Sequence, residues 1–292
     1  MKVANERKAR NSIGIDELSY ALNWRVRGLY PGAHVGEGSV GLGILRGVIP
    51  FDRHPDARHL DLRQSLRDPF GELYVREFRP RTAAMIYALV DVSASMAIGQ
   101  PGGKLGLASQ ICSLLARSVH RMGDSFGLYA CGTELHYSLS FPSRRAGAGA
   151  QYFSEQLARV NPVDRGVDAF LSAADELVGR KKLVFLISDF MFSTERLKKI
   201  LERLRTHDVI PVVLEAQQLK EIPRWGLVQL RDAETQRMKL MFFRPAIKKL
   251  WESAIKRQVN EQKAVCRSLA STPFYVGEEF DVAAFNNYLM MR

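Results

Sequence analysis

From Ala83 onward, short continuous apolar runs alternate with longer segments of helical period, the pattern of a parallel sheet covered on both faces. Ala84 to Val90, Phe126 to Cys131, Leu183 to Ile187 and Val209 to Leu214 are rich in Val, Ile, Leu, Phe or Tyr, end in polar or small residues, and read as buried strands. Between them, Leu105 to Val119 is apolar almost all round and predicts a buried helix. Ala169 to Val178 and Leu197 to Leu204 each show one apolar face, and Ser193 or Thr194 can cap the second. Leu135 to Phe141 is expected to pair with Phe126 to Cys131 as an antiparallel edge strand, because Gly132-Thr133-Glu134 is a turn-like connection. After Pro245, the residues Ile247, Leu250, Trp251, Ala254, Ile255 and Val259 mark the core side of a long amphipathic helix, with its basic residues mainly elsewhere. A strand over Phe274 to Val276 and a short helix over Val282 to Leu289 close the pattern. The fold class is therefore α/β, a doubly wound, mostly parallel sheet with helices on both faces over residues 83–292.

Residues 1–82 differ in style and predict an N-terminal β-rich appendage. Glycines cluster from Gly28 to Gly47, and between Arg25 and Arg81 every basic residue is an arginine. The planar guanidinium suits carboxylate pairing at partly buried sites. This segment is therefore expected to dock on the α/β domain through pairs with Asp52, Asp56, Asp61, Asp68, Glu72 or Glu77. Gly36-Glu37-Gly38-Ser39-Val40-Gly41 matches the glycine spacing of dinucleotide folds, but Pro31-Gly32 precedes it and β-like Ile44 to Ile49 follows. A working fingerprint joins a buried strand to a helix, so the segment reads as a glycine-rich turn or hairpin arm.

Charge and composition narrow the function classes without choosing one. A net charge of +11 favours an acidic partner, yet the basic excess is spread along all 292 residues and forms no tail. Charged residues interrupt every apolar run before it reaches bilayer length, so no membrane span is expected. Behind its basic start, Met1 to Lys8, there is no apolar stretch, which makes a cytoplasmic location the expectation. Cys112, Cys131 and Cys266 are odd in number and far apart, which argues for buried thiols over disulfides or a zinc site. The six histidines lack metalloprotease spacing, no serine sits in a nucleophile elbow, and there is no phosphate-binding lysine loop. A catalytic function is not expected.

Asp91-Val92-Ser93-Ala94-Ser95 is the segment that carries chemistry. It stands at the carboxyl end of the first strong strand and before a helix, where open parallel sheets bind ligands. Three short oxygen-bearing side chains at alternate positions can converge on one point, and hard oxygen donors suit Mg²⁺. Ser188-Asp189 ends a second strand at the same sheet edge and adds a carboxylate. A polar turn that merely caps the helix is the plainer alternative.

These residues resemble the D-x-S-x-S motif and strand-end Asp of the metal-ion-dependent adhesion site in von Willebrand factor A domains. The upstream runs Pro55 to Asp61 and Leu73 to Phe78 resemble the segment that precedes this domain in the domain-of-unknown-function 58 family, whose compact members include MxaS-like proteins. The resemblance implies a non-enzymatic protein-interaction module. Its implied metal ligands are Asp91, Ser93, Ser95 and Asp189, its cofactor Mg²⁺ (or Mn²⁺ or Ca²⁺), and its partner a MoxR-type AAA+ ATPase or that ATPase's client. The implied setting is maturation of an enzyme complex such as that of methanol oxidation. Where the family places a metal-binding Thr, this chain has Val167, which cannot ligate; Asp168 is the candidate substitute, and otherwise the ion is held weakly. The alternative function is RNA association through Lys198, Lys199, Arg203 and Arg205. No aromatic residues interleave with them to offer a stacking platform, so nucleic acid is the lesser expectation.

Overall fold

The structure is a computed structural model, and it describes residues 18–26, 34–35, 43–97, 103–145, 152, 156–160, 166–215, 225–231 and 238–292. The glycine run at 36–41 lies outside them. The chain divides into two compact units, one of Leu22–Ala84 with Met122–Asp124, the other containing Met85–Arg121 and Ser125–Arg292.

In the smaller unit, β1 (His34–Val35), β2 (Gly43–Pro50) and β3 (Tyr74–Thr82) form an antiparallel sheet in the order β1-β3-β2. Between β2 and β3, the Asp61 carboxylate accepts the Gln64 amide at 3.1 Å and caps the single turn α1 (Leu62–Ser65). The same carboxylate takes Arg76 Nε at 2.8 Å, while Arg46 pairs with Glu77 and Arg58 with Asp56, each also at 2.8 Å. These arginines pair inside the segment and bind its own strands and turns. In each of these pairs the acid lies opposite its arginine or within a few residues of it along the β-rich unit.

The larger unit runs β4 (Met85–Asp91), α2 (Gly103–Arg121), β5 (Ser125–Cys131), β6 (Phe141–Arg144), α3 (Ala169–Glu176), β7 (Leu183–Ser188), α4 (Thr194–Arg203), β8 (Asp208–Leu214), β9 (Gly226–Arg231), β10 (Met238–Phe243), α5 (Pro245–Leu269), β11 (Phe274–Val276) and α6 (Val282–Met291). Six strands lie in the order β11-β8-β7-β4-β5-β6, all parallel except β6. This is the expected doubly wound, von Willebrand factor A-like architecture.

Strand alternation sends each side chain to one face or the other. Tyr87, Leu89, Val184 and Leu186 pack with Phe170, Leu197, Ile200 and Cys266, so α3, α4 and α5 cover one face. On the other, α2 lies over β4 and β5, and Phe185 meets Phe285 of α6 edge-on with ring centroids 6.2 Å apart. Both faces are covered, which is why the strands read as unbroken apolar runs and not as alternating ones. Ser193 accepts the Arg196 amide and caps α4 as expected. All three cysteines are free and buried. No helix among the described residues is long and apolar enough to cross a membrane.

Three elements depart from expectation. The antiparallel edge strand is Phe141–Arg144, not Leu135 to Phe141, and pairs Phe126 with Arg144 and Leu128 with Phe141. The 135–140 stretch keeps one antiparallel bridge, Leu135 to Cys131, and then turns on itself, because the Ser140 hydroxyl donates to the His136 carbonyl and accepts the Ala130 amide in place of further ladder bonds. Helix α5 spans Pro245–Leu269, but its buried residues are Gln262 and Cys266; Leu250 is 70% exposed, so the apolar residues of its first half do not form a core face. The β9–β10 hairpin was not anticipated at all. Its exposed Leu227, Met238, Leu240 and Phe242 share one face of the ribbon, since paired residues of antiparallel strands point the same way.

Candidate functional site

Strand order reverses at β4, which has β5 on one side and β7 on the other. Crevices outside the carboxyl ends of strands at such a reversal are where open α/β sheets hold ligands. Asp91 ends β4, and Ser188 and Asp189 stand at the end of β7, so two carboxylates reach this crevice from adjacent strands. Asp91 is fully buried and doubly held: the Ser93 amide donates to Oδ1 at 2.8 Å and the Ser188 hydroxyl to Oδ2 at 2.6 Å. Burial, reinforced by the charge of Asp189, raises its carboxyl from 3.8 to about 6. After Asp91 the chain enters a 3-10 turn, Ala94–Ala97, that brings the Ser93 and Ser95 hydroxyls to 3.2 Å of each other.

Asp189 sits on a constrained loop. Its Oδ1 accepts the Met191 amide at 3.1 Å, and Phe190, with φ of 53°, holds a left-handed conformation that non-glycine residues rarely adopt. The loop is pinned from both sides: the Phe190 amide donates to Ser188 Oγ at 2.9 Å, and Gln262 Nε2 from α5 donates to the Phe190 and Phe192 carbonyls at 2.9 and 3.0 Å. Strain over-determined by surrounding bonds is a recurrent property of binding sites. A mostly apolar depression lies alongside, lined by Asp189, Met191, Val213, Val259 and Tyr275.

Four of the expected residues, Asp91, Ser93, Ser95 and Asp189, thus belong to one hydrogen-bonded cluster. Asp168 stands apart: its half-exposed carboxylate pairs with Arg196 at 3.0 Å. Val167 is buried in the core with Phe170 and Leu186, so the position that would supply a hydroxyl supplies packing.

The residue that sequence reasoning missed is Lys104. Its ammonium is buried and donates to Asp189 Oδ2 at 2.5 Å and to the Ser95 carbonyl at 3.2 Å, joining the turn after β4 to the loop after β7. One signal was available. A lysine in the first turn of a helix opposes the helix dipole, which costs about 0.3–1 kcal/mol, so its charge needs another reason to be there.

A divalent ion does not fit this arrangement. The serine hydroxyls stand about as far apart as neighbouring ligands of an octahedral ion, but Val167 withholds a further oxygen and an ammonium already holds Asp189.

Gly103 makes the lysine's placement possible. At φ of 60° it turns the chain into α2, and a Cβ there would stand 2.9 Å from the carbonyl oxygens of both Met96 and Ala97. Gly103→Ala is expected to lower the unfolding free energy by about 2 kcal/mol or more, from the left-handed backbone and the main-chain clash together. Urea titration would show it, and an unchanged midpoint would rule out this constraint.

Comparison with known proteins places the chain by sequence. No curated protein matches it. Among solved structures it is similar to the conserved hypothetical protein BatB from Bacteroides thetaiotaomicron, at 16% identity over 72% of this chain and 96% of that one, with a TM-score of 0.41. An aerotolerance-related membrane protein from Bacteroides fragilis matches at 15% identity over 72% and 98%, TM-score 0.43. The SpRpn10 VWA domain matches at 9% identity over 72% and 96%, TM-score 0.39. The family assignment is stronger, because one family model aligns with residues 51–262, from the β-rich unit through the strand-end carboxylates and into α5: the chain belongs to the family described as protein of unknown function DUF58.

Proposed function

We propose that this protein is a non-catalytic interaction module that docks a protein partner on the carboxyl edge of its parallel sheet, with the Asp91, Ser93, Ser95 and Asp189 cluster at the centre. The observation that carries the reading is the convergence of these side chains at the strand-order reversal, on a loop with a left-handed Phe190, beside an apolar depression. Rigid polar groups next to an apolar hollow suit recognition of a partner's side chains. The partner in this reading is a MoxR-type AAA+ ATPase or its client, with the protein serving as adaptor or co-chaperone in maturing an enzyme complex. The cluster has no histidine or cysteine, and its Ser93 and Ser95 hydroxyls face each other at 3.2 Å.

The RNA alternative loses support from the same geometry. Arg203 pairs with Asp175 and Lys198 lies 3.9 Å from Glu202, which reduces the free charge of the α4 surface.

The test is affinity capture from the source cell's lysate with the wild type and with Ser93→Ala/Ser95→Ala, which leaves the buried charges in place. An AAA+ ATPase or its client retained by the wild type and lost by the variant is the expected result. Equal retention by both proteins would remove this face from the interaction, and RNA as the sole retained species would overturn the adaptor reading.

A further inference from the structure

We infer that the Lys104 ammonium is the resident cation of this site, standing in for a divalent metal ion at the Asp189 carboxylate, so that the cluster is assembled without one. This goes beyond the proposed function, since a partner can dock whether or not a metal is bound.

Four observations converge. The ammonium is buried, not lying on the surface, and Lys104 is 4% exposed. It bridges the Asp189 carboxylate and the Ser95 carbonyl, the two segments that an ion coordinated by Ser95 and Asp189 would join. It reaches them from a first-turn position that a helix would fill with an acid on its own account. Finally, the position that would supply one more oxygen is given to the core through Val167. A buried lysine paired at hydrogen-bond distance also raises the cost of admitting a second cation. The ion would have to displace the ammonium from Asp189 into water, or share the carboxylate with it against Coulomb repulsion.

Two substitutions separate the lysine from the missing ligand. Lys104→Met keeps the length of the side chain and removes its charge, leaving two carboxylates and two hydroxyls for an ion. Val167→Thr restores a hydroxyl and leaves the ammonium in place. The probe is Mn²⁺, titrated at pH 7.5 and followed by the electron paramagnetic resonance of the free ion, with thermal unfolding in Mg²⁺ and in chelator alongside.

The wild type and Val167→Thr are expected to bind Mn²⁺ no tighter than about millimolar and to unfold at the same temperature in Mg²⁺ and in chelator. Lys104→Met is expected to bind at least about ten-fold more tightly and to be stabilised by the ion. Lys104→Gln provides the same reading if the methionine variant does not fold. Micromolar binding by the wild type overturns the inference, as does equal binding by the wild type and the charge-free variants, whether strong or absent. If Val167→Thr alone creates the site, the missing hydroxyl and not the lysine is what keeps metal out, and the inference falls. Partner capture is read separately, so loss of the adaptor function leaves this result standing.

Discussion

Asp189→Ala is expected to lower the unfolding free energy by about 3 kcal/mol, and the melting temperature by about 10 °C, measured by urea and thermal unfolding with chelator present. The loss comes from what remains. Removing the carboxylate leaves the Lys104 ammonium buried with the Ser95 carbonyl as its one remaining partner among the described residues, and an uncompensated buried charge is far costlier than a missing surface pair. The Met191 amide also loses its acceptor, which releases the strained loop at Phe190. Relief of Asp91, whose carboxyl is pushed up partly by the charge of Asp189, offsets some of this. The double variant Lys104→Met/Asp189→Ala is therefore expected to be more stable than Asp189→Ala alone, since it removes both ends of the pair. Non-additivity of at least about 1 kcal/mol is the signature of direct coupling. If the two single losses simply added, the ammonium would not depend on Asp189.

The sheet was legible in the sequence because its strands are buried on both faces. Continuous runs such as Leu183–Ser188 have few other interpretations when helical segments separate them. Legibility failed where local side chains or missing neighbours decide the outcome. Leu135 to Phe141 has strand composition, but the Ser140 hydroxyl takes up nearby backbone groups and delays the edge strand to Phe141. In α5 the periodic apolar stripe is present, but a stripe records only the capacity to pack; burial is confined to the turns near Gln262 and Cys266. Arg46, Arg58 and Arg76 of the N-terminal unit were read correctly as carboxylate partners, but residue type carries no information about which acid lies within reach.

At the site, spacing revealed the short side chains and concealed the long one. Asp91, Ser93 and Ser95 are placed by the end of a strand, and Asp189 by the end of its neighbour, so backbone periodicity brings them together. Lys104 arrives along a flexible four-carbon stem from a helix whose start is set by Gly103, and pattern alone does not say where such a side chain ends. The supporting role of Gln262 was equally hidden, because it depends on a contact over 72 positions between α5 and the β7 loop.

The pH dependence of stability should carry the mark of Asp91. Its carboxyl is raised from 3.8 to about 6 in the folded protein, first by burial and then by the charge of Asp189. Between these values the folded state holds a proton that the unfolded state has released, so this residue makes stability fall as pH rises through the window. The shift of about two units corresponds to about 3 kcal/mol lost by pH 7 relative to pH below 4. Asp91→Asn removes the charge, and its amide can still accept the Ser93 N–H and meet the Ser188 hydroxyl as donor. This variant is expected to be more stable than the wild type at pH 7.5 by about 1–3 kcal/mol in chelator, with the advantage fading below pH 4. Urea titrations between pH 4 and pH 7.5 measure it, and an Asn variant less stable than the wild type at pH 7.5 would show that the buried carboxylate is favourably compensated. A gain would mean that Asp91 is kept charged at the expense of stability, the expected condition of a group positioned for recognition and not for folding.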